Sequence, residues 1–153
     1  QTDPFAGTLK LIIQLIWKAD INLDELNSYP PYLGNYLGIQ FTAWTENSLV
    51  ATMPVNDRTK QPYGILHGGA SVALAETLGT FASSLVIDTN QWNCVGLEIN
   101  ANHLRPAYHG HIKAVCQPVH LGKMTHVWDI RLFDAQDKMV CICRFTVAII
   151  ARQ

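Results

Sequence analysis

The sequence predicts a single α+β domain in which an antiparallel sheet wraps around one long helix. Three observations carry that expectation. Residues 68–87 are rich in Ala, Leu, Ser, Thr and Gly and contain no proline, enough for about five helical turns, and their one ionisable residue is Glu76. Four long strand-like segments follow, joined by turn residues, and two shorter ones precede the helix. A helix with no polar stripe has no solvent face, so hairpin-linked strands must cover it.

The elements follow in chain order. An apolar run at residues 9–17, interrupted by Lys10 and Gln14, is far short of the ~20 residues that span a bilayer. It follows Asp3 without any positive charge, unlike the start of a secretory signal, and is expected to form an accessory helix. Asn22 and Glu25 have the spacing of a helix N-cap and its reciprocal partner, and Pro30-Pro31 halts that helix near Ser28. Strands are expected at 36–44 and 49–55, then at 92–104, 111–121, 125–133 and 139–151. In the strand at 92–104, strict alternation puts Val95, Leu97, Ile99, Ala101 and His103 on one face, opposite Glu98, Asn100 and Asn102. The last strand is apolar on both faces and belongs inside the sheet.

Composition narrows the partners. The chain has 153 residues, 48% of them hydrophobic and 15% charged. Soluble domains average about 25% charged, so disorder is excluded and part of the surface is expected to lie against a second subunit. A net charge of −1 and a pI near 6.6 provide no basic field for nucleic acid or an anionic membrane. Cys94, Cys116, Cys141 and Cys143 lie in apolar runs without any Cys-x-x-Cys spacing. They read as buried free thiols of a reducing compartment, the cytoplasm.

Glu76 is the first candidate for chemistry. Its helical neighbours Val72, Ala73, Gly79 and Thr80 make an apolar stripe, so desolvation is expected to raise its pKa into the range of a general base or nucleophile. The competing role is an acid paired at a subunit contact. His67-Gly68-Gly69 opens the same helix, where free backbone N–H groups and the helix dipole can stabilise an oxyanion, or where the glycines serve only a tight turn. His67 and Glu76 are nine positions apart, ~13 Å along a helix, and cannot meet at one carbonyl within one subunit. A site made of both needs a two-fold dimer of antiparallel helices. Gln61 and Tyr63 precede the helix, where the amide can orient an acyl carbonyl. His103 is either a satisfied core histidine or a ligand contact. Arg105 and Lys123 end strands and can hold phosphates or remain solvated. His109 and His111 lack a third metal ligand, and no Gly-x-Ser-x-Gly, P-loop or dinucleotide motif occurs.

The stretch Arg58-Thr59-Lys60-Gln61-Pro62-Tyr63-Gly64-Ile65-Leu66-His67-Gly68-Gly69-Ala70-Ser71, with Leu74-Ala75-Glu76-Thr77, resembles the hotdog-fold acyl-CoA thioesterases of the PaaI-like group. The branch it is most similar to holds the 1,4-dihydroxy-2-naphthoyl-CoA hydrolases of menaquinone biosynthesis and the enterobactin-pathway proofreading thioesterases. Further matches are Ile16-Trp17-Lys18, the run from Val95 to His103, Arg105-Pro106 and the run from Cys116 to Gly122, so the resemblance covers residues 16–151 and implies a single domain at 16–153, with residues 1–15 as an N-terminal extension that has no counterpart. It implies that Glu76 is the catalytic carboxylate, with Gln61, His67 and the Gly68 N–H around the thioester carbonyl from the partner subunit. It further implies that His103 lines the cleft and that Thr80 stands where close relatives carry a serine assisting the attacking water. The family is usually a tetramer built as a dimer of dimers.

The expectation is therefore a homodimeric catalytic unit, as a homotetramer, hydrolysing aromatic acyl thioesters of coenzyme A or of a carrier's phosphopantetheine arm. Val72, Tyr63 and Phe81 are expected in the acyl pocket, with Gly69 beside the carbonyl. No metal or redox cofactor is needed, because a thioester is already activated. The alternatives are a hydroxyacyl dehydratase, against which Gln61 argues, and a non-catalytic acyl-CoA binding or sensing module, which would not need Glu76.

Overall fold

A computed structural model describes residues 15–153. Two short helices, α1 (Leu23–Asn27) and α2 (Leu33–Leu37), lead into strands β1 (Gln40–Trp44) and β2 (Leu49–Pro54). The long helix α3 (Gly68–Val86) follows, then β3 (Trp92–His103), β4 (His111–Leu121), β5 (Thr125–Phe133) and β6 (Met139–Ala151). The strands form one antiparallel sheet in the order β1-β2-β4-β5-β6-β3. After β2 the chain crosses the sheet as α3, lays down β3 at the far edge, and returns with β4 beside β2. The expected wrapped-helix fold is what forms, with β6 inside the sheet.

Local chemistry sets the boundaries. Asn22 caps α1 through its Oδ1, which accepts from the N–H groups of Asp24 and Glu25. The reciprocal contact from Glu25 reaches the Asn22 side-chain amide instead of its backbone. Residues 36–37, expected in the first strand, belong to α2: Asn35 Oδ1 accepts from Tyr32 N–H, and Gly38, at φ 75°, ends the turn in the left-handed region. Leu15–Trp17 are not helical as expected. They belong to no helix or strand; Trp17 is buried and stacks on Trp128, and its indole donates to the Thr45 carbonyl at 2.7 Å. The rest of the expected accessory helix lies outside the described residues.

Helix α3 buries Leu74, Ala75, Leu78, Gly79, Ala82 and Ser83 against the sheet. Its opposite face, with Gly69, Val72, Ala73, Glu76 and Thr80, is not buried. The helix is therefore one-sided within a single chain, contrary to the expectation of burial all round, because one curved sheet covers only one side of a cylinder. By length and apolar composition α3 could cross a bilayer, but here it is the core helix of the fold. The sheet holds it close: a Cβ on Gly79 would lie 2.5 Å from Phe145, whose ring is 1% exposed. Below it, Ser83 Oγ accepts the Trp128 indole N–H at 2.7 Å and meets His126 Nδ1 at 3.1 Å, which satisfies a fully buried hydroxyl.

Strand β3 departs from strict alternation. A bulge sets Leu97 and Glu98 together against Thr146, so inward order runs Cys94, Gly96, then Ile99, Ala101 and His103. Val95 and Leu97 consequently face out, 44% and 63% exposed, and do not share a face with Ile99 as expected. All four cysteines are free, and burial pushes the Cys94 thiol up to about 11.

Two stability measurements follow. Gly79→Ala gains helix propensity of up to ~1 kcal/mol but drives a methyl into a ring that cannot yield, so denaturant unfolding is expected to show net destabilisation of about 1–3 kcal/mol. Burial, with His120 and Lys18 nearby, holds the His126 pKa below its ordinary value. The unfolded chain then binds the proton more readily, and stability should fall as pH drops through about 6.5. His126→Gln should flatten that part of the pH–stability profile, and an unchanged profile would show that other groups set it.

Candidate active site

The loop ahead of α3 is pinned at both ends. Buried Thr59 donates its hydroxyl to the Pro54 carbonyl at 2.8 Å, and its own carbonyl accepts from His67 N–H at 2.8 Å. Leu66 N–H donates to the Ala107 carbonyl, tying the loop to the segment after β3. Between these ties Gln61 closes a small turn with Gly64, whose φ of 81° suits glycine. The amide of Gln61 is thus carried on a fixed frame.

That frame opens onto a cavity of ≈ 380 Å³ lined by Gln61, Leu66, Gly68, His103, Arg105 and Ala107. His103 is in van der Waals range of the start of α3, and a Cβ on Gly68 would fall 2.8 Å from its Nε2. Glycine at 68 is therefore what lets the imidazole approach the helix terminus. The Gly68 N–H has no acceptor among the described residues, whereas the Gly69 N–H donates to His67 Nδ1 at 2.8 Å. His67 is the N-cap of α3, with Nδ1 unprotonated, which leaves Nε2 as the nitrogen available to a ligand. Arg105 lines the same cavity while donating to the Met139 carbonyl.

Glu76 lies elsewhere. It shares a second cleft of ≈ 380 Å³ with Tyr32, Ala73, Thr77, Thr80 and Phe81. Residues 73, 76, 77, 80 and 81 recur at helical spacing and form the uncovered face of α3. The carboxylate lies beside β3, such that a Cβ on Gly96 would be 3.3 Å from its Oε1. Glu76 is exposed in the single chain, so the desolvation expected from its apolar helical neighbours is not supplied by this chain alone. The Thr80 hydroxyl donates to the Glu76 carbonyl at 2.8 Å, one turn back along the helix.

The remaining candidates separate. Tyr63 is 88% exposed and lines neither cavity. Val72 is half-buried on the uncovered helix face and also lines neither. Lys123 borders a third cavity at the opposite end of α3, of ≈ 350 Å³, with Lys18, Trp92 and His126. Tyr32 and Leu33 of the Glu76 cleft open α2, a helix that the sequence does not predict; only Asn35, which caps it, and Gly38, which ends it, signal it.

The sequence profile of the thioesterase superfamily matches residues 63–141. The 1,4-dihydroxy-2-naphthoyl-CoA hydrolase of Escherichia coli strain K12 is 48% identical, over 89% of this chain and 100% of that protein. A mutant of thioesterase PA1618 from Pseudomonas aeruginosa superposes with a TM-score of 0.88 at 51% identity, covering 90% of this chain and 99% of that one. Thioesterase HI1161 from Haemophilus influenzae superposes with a TM-score of 0.84 at 42% identity, covering 89% and 95%. The wrapped-helix sheet is thus the hotdog fold, and the chain is a thioester hydrolase belonging to the thioesterase superfamily.

Proposed function

We propose that the protein hydrolyses aromatic acyl thioesters of coenzyme A, or of a carrier's phosphopantetheine arm, at sites shared between two subunits. The observation that carries this reading is the split within one chain. Gln61, the free Gly68 N–H and His103 gather at one cavity, while Glu76 stands eight residues along the helix, ~12 Å away, in another. Neither half is a complete site. Acyl transfer needs a polarised carbonyl and a nucleophile or base at the same atom.

A two-fold partner brings the halves together. The uncovered face of α3 adjoins β3 where Glu76 meets Gly96, and β3 is an edge strand twelve residues long. Strand pairing across that edge sets two α3 helices side by side and antiparallel, with the Glu76 of one near the Gly68 of the other. The contact also covers exposed Val95 and Leu97 and desolvates Glu76, restoring the environment that its helical neighbours predict. Two such dimers make the tetramer.

In the proposed reaction the Gly68 N–H and the dipole of α3 bind the developing oxyanion. Gln61 and the Nε2 side of His67 orient the acyl carbonyl. Glu76 of the partner attacks the carbonyl carbon or takes a proton from water that does. The C–S bond then breaks, the thiol departs, and water supplies the hydroxyl of the released acid. Thr80, bonded back to its own helix, fixes the Glu76 turn and presents its oxygen lone pairs to the attacking water. His103 and Arg105 border the carbonyl end of the cleft, and Phe81 the acyl end. The relative's name, 1,4-dihydroxy-2-naphthoyl-CoA hydrolase, supports an aromatic acyl group. The four free thiols support the cytoplasm as its compartment.

Thiol release from aromatic and aliphatic acyl-CoAs tests the reading. Wild type should favour the aromatic set, and Glu76→Ala should lose about 10³-fold or more in kcat while remaining folded. Retained turnover in that variant removes Glu76 from the mechanism. Subunit sharing has its own test, because Gln61→Ala and Glu76→Ala damage opposite halves. Co-refolding the two inactive variants in equal amounts should restore about a quarter of wild-type sites, as half the dimers are mixed and each carries one intact site. Absence of recovery would place both residues in one subunit's site.

A further inference from the structure

Most side-chain hydroxyls of α3 are spent within the fold. Thr80 donates to the Glu76 carbonyl at 2.8 Å and Ser84 to the Phe81 carbonyl at 2.7 Å, while Ser83 is held between Trp128 and His126. Ser71 differs. It is 2% exposed, yet its hydroxyl makes no hydrogen bond among the described residues; only its backbone N–H is bonded, to the His67 carbonyl. No side-chain oxygen sealed from solvent lacks a partner among those residues, so the Ser71 hydroxyl opens onto the cavity that it lines with Gly68 and His103. A hydroxyl this deep is unfavourable without a hydrogen-bond partner, and the cavity is where one must be found.

The backbone dictates what this hydroxyl faces. Gly68, Ser71, Ala75 and Leu78 succeed one another at spacings of three and four, along the side of α3 turned to the sheet. A helical side chain leans back over the turn that precedes it, so Ser71 covers Gly68, whose missing side chain leaves space there. That space is where the imidazole enters. A Cβ on Gly68 would lie 2.8 Å from His103 Nε2 and 3.0 Å from Cε1, the ring edge turned toward the helix. The His103 ring likewise makes no hydrogen bond among the described residues, and no direct bond joins it to Ser71. The cavity of ≈ 380 Å³ has room for a water, whose share of liquid volume is ~30 Å³, and the two groups provide the polar partners such a water needs.

Resting on the reading of this cavity as the carbonyl end of the site, we propose that Ser71 is a positioning residue, whose hydroxyl holds His103 Nε2 through one bound water and so fixes the aim of the imidazole over Gly68. A histidine ring can swing about its side-chain torsions and can carry its proton on either nitrogen; the hydrogen bond made at one nitrogen settles both. Without that bond, contact with Gly68 alone restrains the edge of the ring turned to the helix. Ser71 stands on the sheet side of α3, opposite the uncovered face that carries Glu76, so it acts on the imidazole and leaves the substrate's path clear.

The test pairs Ser71→Ala with His103→Ala. Ser71→Ala strands no donor or acceptor of the protein's own core, so it should unfold at the same denaturant concentration as wild type. Its kcat/KM for the aromatic acyl-CoA that wild type hydrolyses fastest should nevertheless fall about fivefold, the worth of one hydrogen bond. In the His103→Ala background the same substitution should cost nothing further, because Ser71 acts through the ring. Nitrogen NMR of the substrate-free protein reads the contact directly. The His103 ring signals, identified by their loss in His103→Ala, should shift in Ser71→Ala while those of His67 and His126 stay. Unmoved ring signals overturn the assignment, and they decide it alone where His103→Ala is too slow to assay. An equal kinetic loss in both backgrounds also overturns it, as does lowered stability in step with lowered turnover, since Ser71 then matters to packing. Unchanged turnover in His103→Ala itself is a different failure: it removes the thioester carbonyl from this cavity, and the proposed site with it.

Discussion

The close approach of α3 to the concave sheet governs everything else in this molecule. Gly79 under Phe145 and the Ser83–Trp128–His126 contact fix the depth and rotation of the helix. Once that rotation is set, the nineteen residues of α3 divide into a face sealed by the sheet and a face that the chain leaves open. Glu76 falls on the open face, and Gly68 falls where the helix start meets His103. A change in helix rotation would exchange those positions, so the position of the candidate catalytic groups is a by-product of core packing.

The division of labour along α3 has a simple electrostatic logic. The N-terminal end offers an unpaired N–H and the positive end of the dipole, suited to a carbonyl oxygen gaining charge. An acid at that end would be drawn into pairing with the same groups and lose its nucleophilic character. Placing Glu76 two turns along keeps it apart from the donors of its own chain, and the proposed partner contact would present it to donors with which it cannot permanently pair. The low charged fraction of the sequence fits that proposal, which needs both the helix face and the β3 edge to be free of repelling charge.

Much of this was legible in the sequence, and the failures are physically specific. The bounds of α3 and of the four long strands could be read because periodicity and turn chemistry agree there. The first strand was extended too far because Tyr36 and Leu37 have strand propensity, which Asn35 and Gly38 override through a cap and a left-handed turn. The face of Val95 and Leu97 was misread because a bulge adds a residue without any compositional signature beyond Gly96. The helix was expected to be buried all round because it has no polar stripe, but the sheet of one chain covers only one side of it. Among the candidate site residues, Gln61, Gly68, His103 and Glu76 are signalled by residue type and motif, and each lines one of the two cavities. That Tyr63 and Val72 line neither was not legible, because a loop tip and a helix side are distinguished only by three-dimensional placement. Tyr32 could be found only through the cap at Asn35 and the turn at Gly38, since it enters the cleft through a helix that is too short to show a period.

The bulge at Leu97 also works as a phase shifter between the two ends of one strand. On its early side β3 presents Gly96 to the helix, and on its late side it presents His103; a regular pleat would turn one of the two outward. The strand can therefore serve two geometrical masters, an edge that must stay flat and a cleft wall that must aim a ring. Substitutions accumulating along the outer edge leave the aim of the imidazole untouched, whereas loss of a single residue at the bulge rotates one half against the other. Variation in this strand should tolerate changes of side chain far better than changes of length.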